Sequence, residues 1–137
     1  MGTCAAPDDH RAKRILVIDD DVATREAVHN ALTRSDAYDV VLAAGGREAL
    51  DLLDRERFDL VVCDIIMADV DGLEVIRYIR ERMSDLPIIA ISGGGRISPS
   101  DYLRIGIAFG AEKSMIKPLR IGELRDAVAT LVCREAH

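Results

Sequence analysis

Five short apolar runs alternate strictly with five amphipathic stretches along this chain, and the segments joining them are short. The runs are "RILVIDD", "YDVVLAA", "FDLVVCDII", "PIIAIS" and "SMIK". The stretches between and after them are "VATREAVHNALTRS", "REALDLLDRER", "LEVIRYIRERM", "SDYLRIGIAFG" and "IGELRDAVATLVCREA". A strand that is apolar almost throughout, as "FDLVVCDII" is, must be covered on both faces, which is the condition of a strand inside a parallel sheet. Parallel neighbours need a crossover, and the helical patterns supply one each time. The expectation is an α/β fold: a five-stranded parallel sheet with helices on both faces. The 137 residues suffice for one domain with a real core. Residues 1–13 read as a flexible polar leader and 14–137 as the domain.

Apolar spacing assigns inward faces. Val22, Ala23, Ala27, Ala31 and Leu32 form the stripe of the first helix. Ala49, Leu50, Leu52 and Leu53 form that of the second, and Leu73, Val75, Ile76, Ile79 and Arg80 that of the third. Leu124, Val128, Leu131 and Val132 face inward on the last. Ile107 and Phe109 on the weaker fourth helix read as core, with a partner-facing surface as the alternative.

In an open parallel sheet, ligands bind beyond the carboxyl ends of the strands. That rule gathers Asp19 and Asp20 from strand one, Asp64 from strand three, Ser92 from strand four and Lys117 from strand five. Carboxylates crowded at one sheet edge repel each other and call for positive charge. Helix capping is the bland explanation for "IDDD", since Asp favours a first turn. The sharper one is a hard divalent cation such as Mg2+, which prefers oxygen ligands. A cation and an ammonium together suit phosphoryl transfer, with a carboxylate as nucleophile.

In order, spacing and chemistry, "VIDDD", "VVCDIIMADVDG", "IIAIS" and "MIKP" resemble the signature segments of the receiver domain of two-component response regulators, and the likeness runs over residues 13–135. It implies the flavodoxin-like (βα)5 receiver fold. It also implies Asp64 as phosphoacceptor, and Asp20 as a direct and Asp19 as a water-mediated Mg2+ ligand. Asp64 and the backbone carbonyl of Ile66 would complete the protein's share of the metal site. Ser92, Gly93 and Lys117 would hold the phosphoryl group. Gly72 would allow an unusual backbone turn, and Pro118 would be the residue of an often cis Lys–Pro bond. Asp21 has no role in the family and reads as a cap or solvated charge.

Two positions depart from the family pattern. Ala68 stands where proline is common, which predicts a looser loop. Ser114 stands where an aromatic ring commonly moves, so output is expected through loop and helix movement, aided by Gly93, Gly94 and Gly95.

The resemblance implies a histidine kinase or histidine phosphotransfer protein as donor, and a downstream protein as target. A homodimer through the helix 4–strand 5–helix 5 face is an alternative use of that surface. The formal net charge of −6 argues against direct nucleic-acid binding. No run is long enough for a membrane span, and "MGTCAAPDDH" lacks the apolar core of a signal peptide, so a cytoplasmic protein is expected. Cys4, Cys63 and Cys133 show no metal spacing, and Cys63 reads as a small buried hydrophobe. The chain stops soon after its last helix pattern and reads as a stand-alone receiver rather than a metabolic enzyme. The competing readings are a small Mg2+-dependent phosphatase or phosphotransferase, and a receiver cut from a larger regulator. The phosphatase reading lacks support at Ile66, where such enzymes would want a second acid.

Overall fold

The computed structural model describes residues 12–93 and 99–133. The expected flexibility of the leader and of Gly94 and Gly95 falls outside that range. Five strands and five helices alternate: β1 (Lys13–Ile18), α1 (Val22–Leu32), β2 (Tyr38–Ala43), α2 (Gly46–Arg55), β3 (Leu60–Asp64), α3 (Gly72–Arg82), β4 (Ile88–Ser92), α4 (Pro99–Phe109), β5 (Lys113–Ile116) and α5 (Ile121–Val132). All pairings are parallel, and the strands lie in the order β2-β1-β3-β4-β5. The order reverses between β1 and β3, which opens a crevice at their carboxyl ends.

Each strand sends alternate side chains to opposite faces, and two cores result. On one face Leu16, Ile18, Val61, Cys63, Ile88 and Ala90 pack with Ala49, Leu53, Val75, Ile76 and Ile79 of α2 and α3. On the other, Ile15, Val17, Val62, Ile89 and Ile91 pack with Val28, Leu32, Leu124, Val128 and Leu131 of α1 and α5. All five β3 residues are buried, which explains the unbroken apolarity of that segment. Burial pushes the Cys63 thiol far above its ordinary value, so it stays a neutral core side chain. Arg80 belongs to the inward side of α3 because its guanidinium is fully used. It donates to the carbonyls of Gly110 at 2.9 Å, Leu86 at 2.7 Å and Ser84 at 3.0 Å, and it pairs with Glu112 at 2.9 Å.

Three inward faces differ from their apolar spacing. On α1 the buried residues are Val28, Ala31 and Leu32, while Val22 is 54% exposed and Ala23 and Ala27 face solvent. The inward side of α1 centres on Val28, and Val22, Ala23 and Ala27 lie roughly 100° or more round the helix from it. One turn before Val28, the inward positions are the polar Thr24 and Arg25. On α5, Ala127 is buried and Val132 only partly so. Ile107 and Phe109 are 47% and 42% exposed. Neither is core, and with Ile116 of β5, 47% exposed, they leave apolar surface beside α4.

Candidate functional site

Neighbouring parallel strands lie about 4.8 Å apart, so residues that follow paired positions meet at the sheet edge. Ile18 pairs with Cys63, which sets Asp19 beside Asp64. Asp19 continues the ladder, its N–H donating to the Ala43 carbonyl at 3.1 Å, and is fully buried. Asp64, the last residue of β3, is 4% exposed, while Asp20 is exposed. One carboxylate oxygen from each of the three lies within 4.8 Å of the others.

Lys117 reaches this cluster from just beyond β5. Its backbone N–H donates to the Ser92 carbonyl at 2.8 Å. Its stem crosses Gly93 so closely that a Cβ there would sit 2.5 Å from Lys117 Cδ. Nζ donates to Asp64 Oδ2 at 3.3 Å. It also lies 2.9 Å from Asp19 Oδ2, as a charge contact without the alignment of a hydrogen bond. The Lys117–Pro118 bond is cis.

One ammonium faces three carboxylates. Burial alone would lower the Lys117 pKa, but its contacts with Asp19 and Asp64 outweigh that, and it lies above the ordinary lysine value. Burial and the Asp19 charge push Asp64 up to about 7, against the opposing pull of Lys117. This has a consequence for stability in chelator-containing buffer. The folded value exceeds the unfolded one, so the native state binds more protons between roughly pH 4 and pH 7. The contribution of Asp64 to stability is fully present below that window and is lost as pH rises through it. The expected slope is up to about 1.4 kcal/mol per pH unit. Urea unfolding at a series of pH values in EDTA should show this slope in the wild type and a flatter profile in Asp64→Asn. Parallel profiles would contradict it.

Ser92 ends β4, fully buried, and its Oγ has no hydrogen-bond partner among the described residues. A buried hydroxyl left so costs about 1–3 kcal/mol. Ile66 follows Asp64 by two residues, and its N–H donates to Asp64 Oδ1 at 3.4 Å. Asp21 occupies the N-cap position of α1 without a side-chain bond to the helix backbone. Its carboxylate accepts instead from the Thr24 hydroxyl at 2.7 Å. That hydroxyl holds Asp21 below the ordinary carboxylate range.

Gly72 has a different basis from the expected one. Its φ is not positive, and no unusual turn requires glycine there. A Cβ at Gly72 would lie 2.0 Å from the Asp64 carbonyl oxygen, so the first turn of α3 approaches the end of β3 too closely for any side chain. Ser114 pairs with Ala90 across β4 and β5 and is partly buried.

Arg25 was not singled out by sequence reasoning. Its Nη1 donates to the Asp19 carbonyl at 2.8 Å, bracing the strand end beneath the carboxylates. The signal was its place three residues before Val28 on the face of α1 that meets the sheet.

The cluster fits a hard divalent cation by three observations. Its donors are all carboxylate oxygens close enough to share one ion. The buried Asp19 Oδ2 lacks a directed hydrogen bond. Three carboxylates meet the single Lys117 ammonium at this edge, which leaves the cluster acidic.

The response regulator receiver domain family model matches residues 15–129. A response regulator, MprA, of Mycolicibacterium vanbaalenii is 42% identical over 121 residues, which cover 88% of this chain and 51% of that protein. The chain spans about half the length of the curated relatives it matches. Among solved structures, a CheY-like receiver domain protein from Methanospirillum hungatei superposes with a TM-score of 0.78 at 26% identity, covering 88% of this chain and 94% of that one. A response regulator from Thermotoga maritima gives 0.76 at 29% identity, with 90% and 99% covered.

Proposed function

This chain belongs to the response regulator receiver domain family, which works in two-component signalling, and on that premise we propose that it takes a phosphoryl group from a phosphohistidine onto Asp64. The observation that carries the reading is the meeting of Asp19, Asp20, Asp64 and Lys117 at one sheet edge, beside a buried Ser92 hydroxyl in want of an acceptor. Receiver domains are signalling devices rather than metabolic enzymes, and this one acts on itself.

The chemistry follows from the residues. An ionised Asp64 oxygen attacks phosphorus in line as the nitrogen–phosphorus bond to the donor imidazole breaks. The imidazole leaves with the bonding electrons and takes up a proton. Asp64 must be ionised to react, yet burial and the Asp19 charge push its pKa up to about 7 and so work against that form. Asp20, Asp64, the Ile66 carbonyl and, through water, Asp19 would hold Mg2+. When bound, it supplies charge that keeps Asp64 ionised and neutralises the phosphoryl oxygens. Lys117 balances the same oxygens from the β5 side, and Ser92 donates its hydroxyl to one of them. Gly93, lacking a side chain, leaves the Lys117 stem room to lie across the β4 end. Water attack on the aspartyl phosphate releases phosphate and resets Asp64.

The donor is a histidine kinase or a histidine phosphotransfer protein, and the signal leaves by protein–protein contact. Ile107 of α4 and Ile116 of β5 give the α4–β5 side exposed apolar area of the kind such a contact uses, while Phe109 faces Leu73 and Arg77 of α3. With Ser114 in place of a ring, the response runs through the β4–α4 connection and α4. Phosphotransfer profiling against histidine kinases and phosphotransfer proteins of the source organism tests the reading. Rapid transfer from one of them to Asp64 is expected, and transfer from none, with acetyl phosphate also inert, would overturn it.

Mg2+ should stabilise the protein through Asp20. A ligand that binds only the folded state adds about 2.7 kcal/mol at a hundred times its dissociation constant. Asp20→Ala should lose most of that gain. In EDTA the variant should melt no lower than the wild type, because one of three crowded carboxylates is gone. Thermal melts with and without Mg2+ read both effects. An undiminished Mg2+ shift in the variant would remove Asp20 from the ligand set.

A further inference from the structure

Asp20 is the one exposed member of the acidic cluster, and packing does not hold its side chain. An exposed carboxylate loses affinity for a cation whenever it turns away. The structure supplies a restraint from another element: the Ala68 backbone N–H donates to Asp20 Oδ2 at 3.1 Å. We propose that Ala68 is a positioning residue for cation binding, its amide holding Asp20 by one oxygen so that the other serves the ion. The proposal rests on the Mg2+ part of the reading above.

The donor is itself firmly placed. Asp69 Oδ1 accepts from the Gly46 N–H at 3.1 Å, and Oδ2 from the Arg47 N–H at 3.2 Å, which ties the loop to the start of α2. Asp71 Oδ1 accepts from the Leu73 N–H at 3.0 Å and caps α3. On the other side of Ala68, the Ile66 N–H donates to Asp64 Oδ1. The segment from Ile66 to Asp71 is thus fastened to β3, Asp20, α2 and α3 in turn. Asp20 and the Ile66 carbonyl, both needed by the ion, are set at a fixed spacing by a hydrogen bond only two residues from Ile66. Ligating carboxylates are held by such outer contacts, whose loss costs metal affinity at least tenfold in well-ordered sites. Only a residue with a backbone N–H can make this one, and proline cannot. Alanine at this position thus gives the loop a tether to Asp20 that proline would remove.

The test is Mg2+ binding, measured by titration calorimetry without any phosphoryl donor, on wild type, Ala68→Pro and Ala68→Gly. Ala68→Pro should weaken Mg2+ about tenfold, while Ala68→Gly, which keeps the N–H, should stay within about twofold of wild type. In EDTA all three should melt alike, which separates positioning from a general loss of fold. Should Ala68→Pro fail to fold, amide NMR of the wild type decides. The Ala68 amide should be protected from exchange, stay protected at saturating Mg2+, and lose protection in Asp20→Ala. Equal Mg2+ affinity in the proline variant, or an Ala68 amide that Mg2+ releases, would overturn the proposal. A wild type that binds no Mg2+ would overturn it together with the metal assignment above, whereas failure at Ala68 alone leaves Asp64 as acceptor untouched.

Discussion

Asp64→Asn is expected to accept no phosphoryl group at all. The side chain ends a fully buried strand and projects into a cluster where a carboxylate is costly to keep. Burial first, and then the Asp19 charge, raise the Asp64 pKa to about 7 against the pull of Lys117. An amide keeps the shape but is too weak a nucleophile to displace a donor nitrogen. Incubation with acetyl phosphate and Mg2+, followed by intact mass measurement, should give a single phosphoryl adduct in the wild type and none in the variant. A variant adduct at wild-type yield would place the acceptor elsewhere. The same substitution removes a buried charge from a crowded site. It should therefore raise stability in EDTA at pH 8, where wild-type Asp64 is mostly ionised. A variant that neither reacts nor gains stability would mean that the acidic cluster is less crowded than its geometry implies.

Much of this site was legible in the sequence because strand ends carry it. Once the apolar runs read as parallel strands, Asp19, Asp64, Ser92 and Lys117 had to share an edge, and the structure brings them there. What the sequence hid were contacts made by backbone groups and by helix faces. Nothing in the letters "MADVD" says that the Ala68 N–H reaches Asp20, or that Asp69 caps a helix more than twenty residues earlier. The α1 stripe differs because Val22, Ala23 and Ala27 are apolar but lie round the helix from the side, centred on Val28, that meets the sheet. With polar Thr24 and Arg25 on the inward side and alanines on the outer one, apolar spacing points to the wrong face. Ile107 and Phe109 show the same ambiguity from the other side: apolar residues at helical spacing can face a partner as readily as a core.

Among the described glycines, Gly72→Ala should be the most destabilising substitution to alanine. The added Cβ would sit 2.0 Å from the Asp64 carbonyl oxygen, 2.6 Å from Ile65 Cα and 2.9 Å from the Asp64 carbonyl carbon. All three are backbone atoms at the end of a buried strand, and none can swing aside as a side chain would. The same junction is locked by the Gly72 N–H donating to the Ile65 carbonyl at 2.9 Å, so α3 cannot slide away without breaking that bond. The expected loss is about 3 kcal/mol or more, at or above the upper end for overpacking. Gly122→Ala in α5 is the matched control. A Cβ there meets nothing within 4 Å, so helix propensity alone acts and should stabilise by up to about 1 kcal/mol. Urea unfolding of both variants reads the contrast. The clash also bears on the site, because relief requires the Asp64 backbone to move, and Asp64 cannot then keep its place beside Asp19. Gly72→Ala should accordingly weaken Mg2+ under conditions where it remains folded. If it unfolds at the wild-type midpoint and binds Mg2+ normally, the close approach of α3 to the end of β3 does not exist in solution.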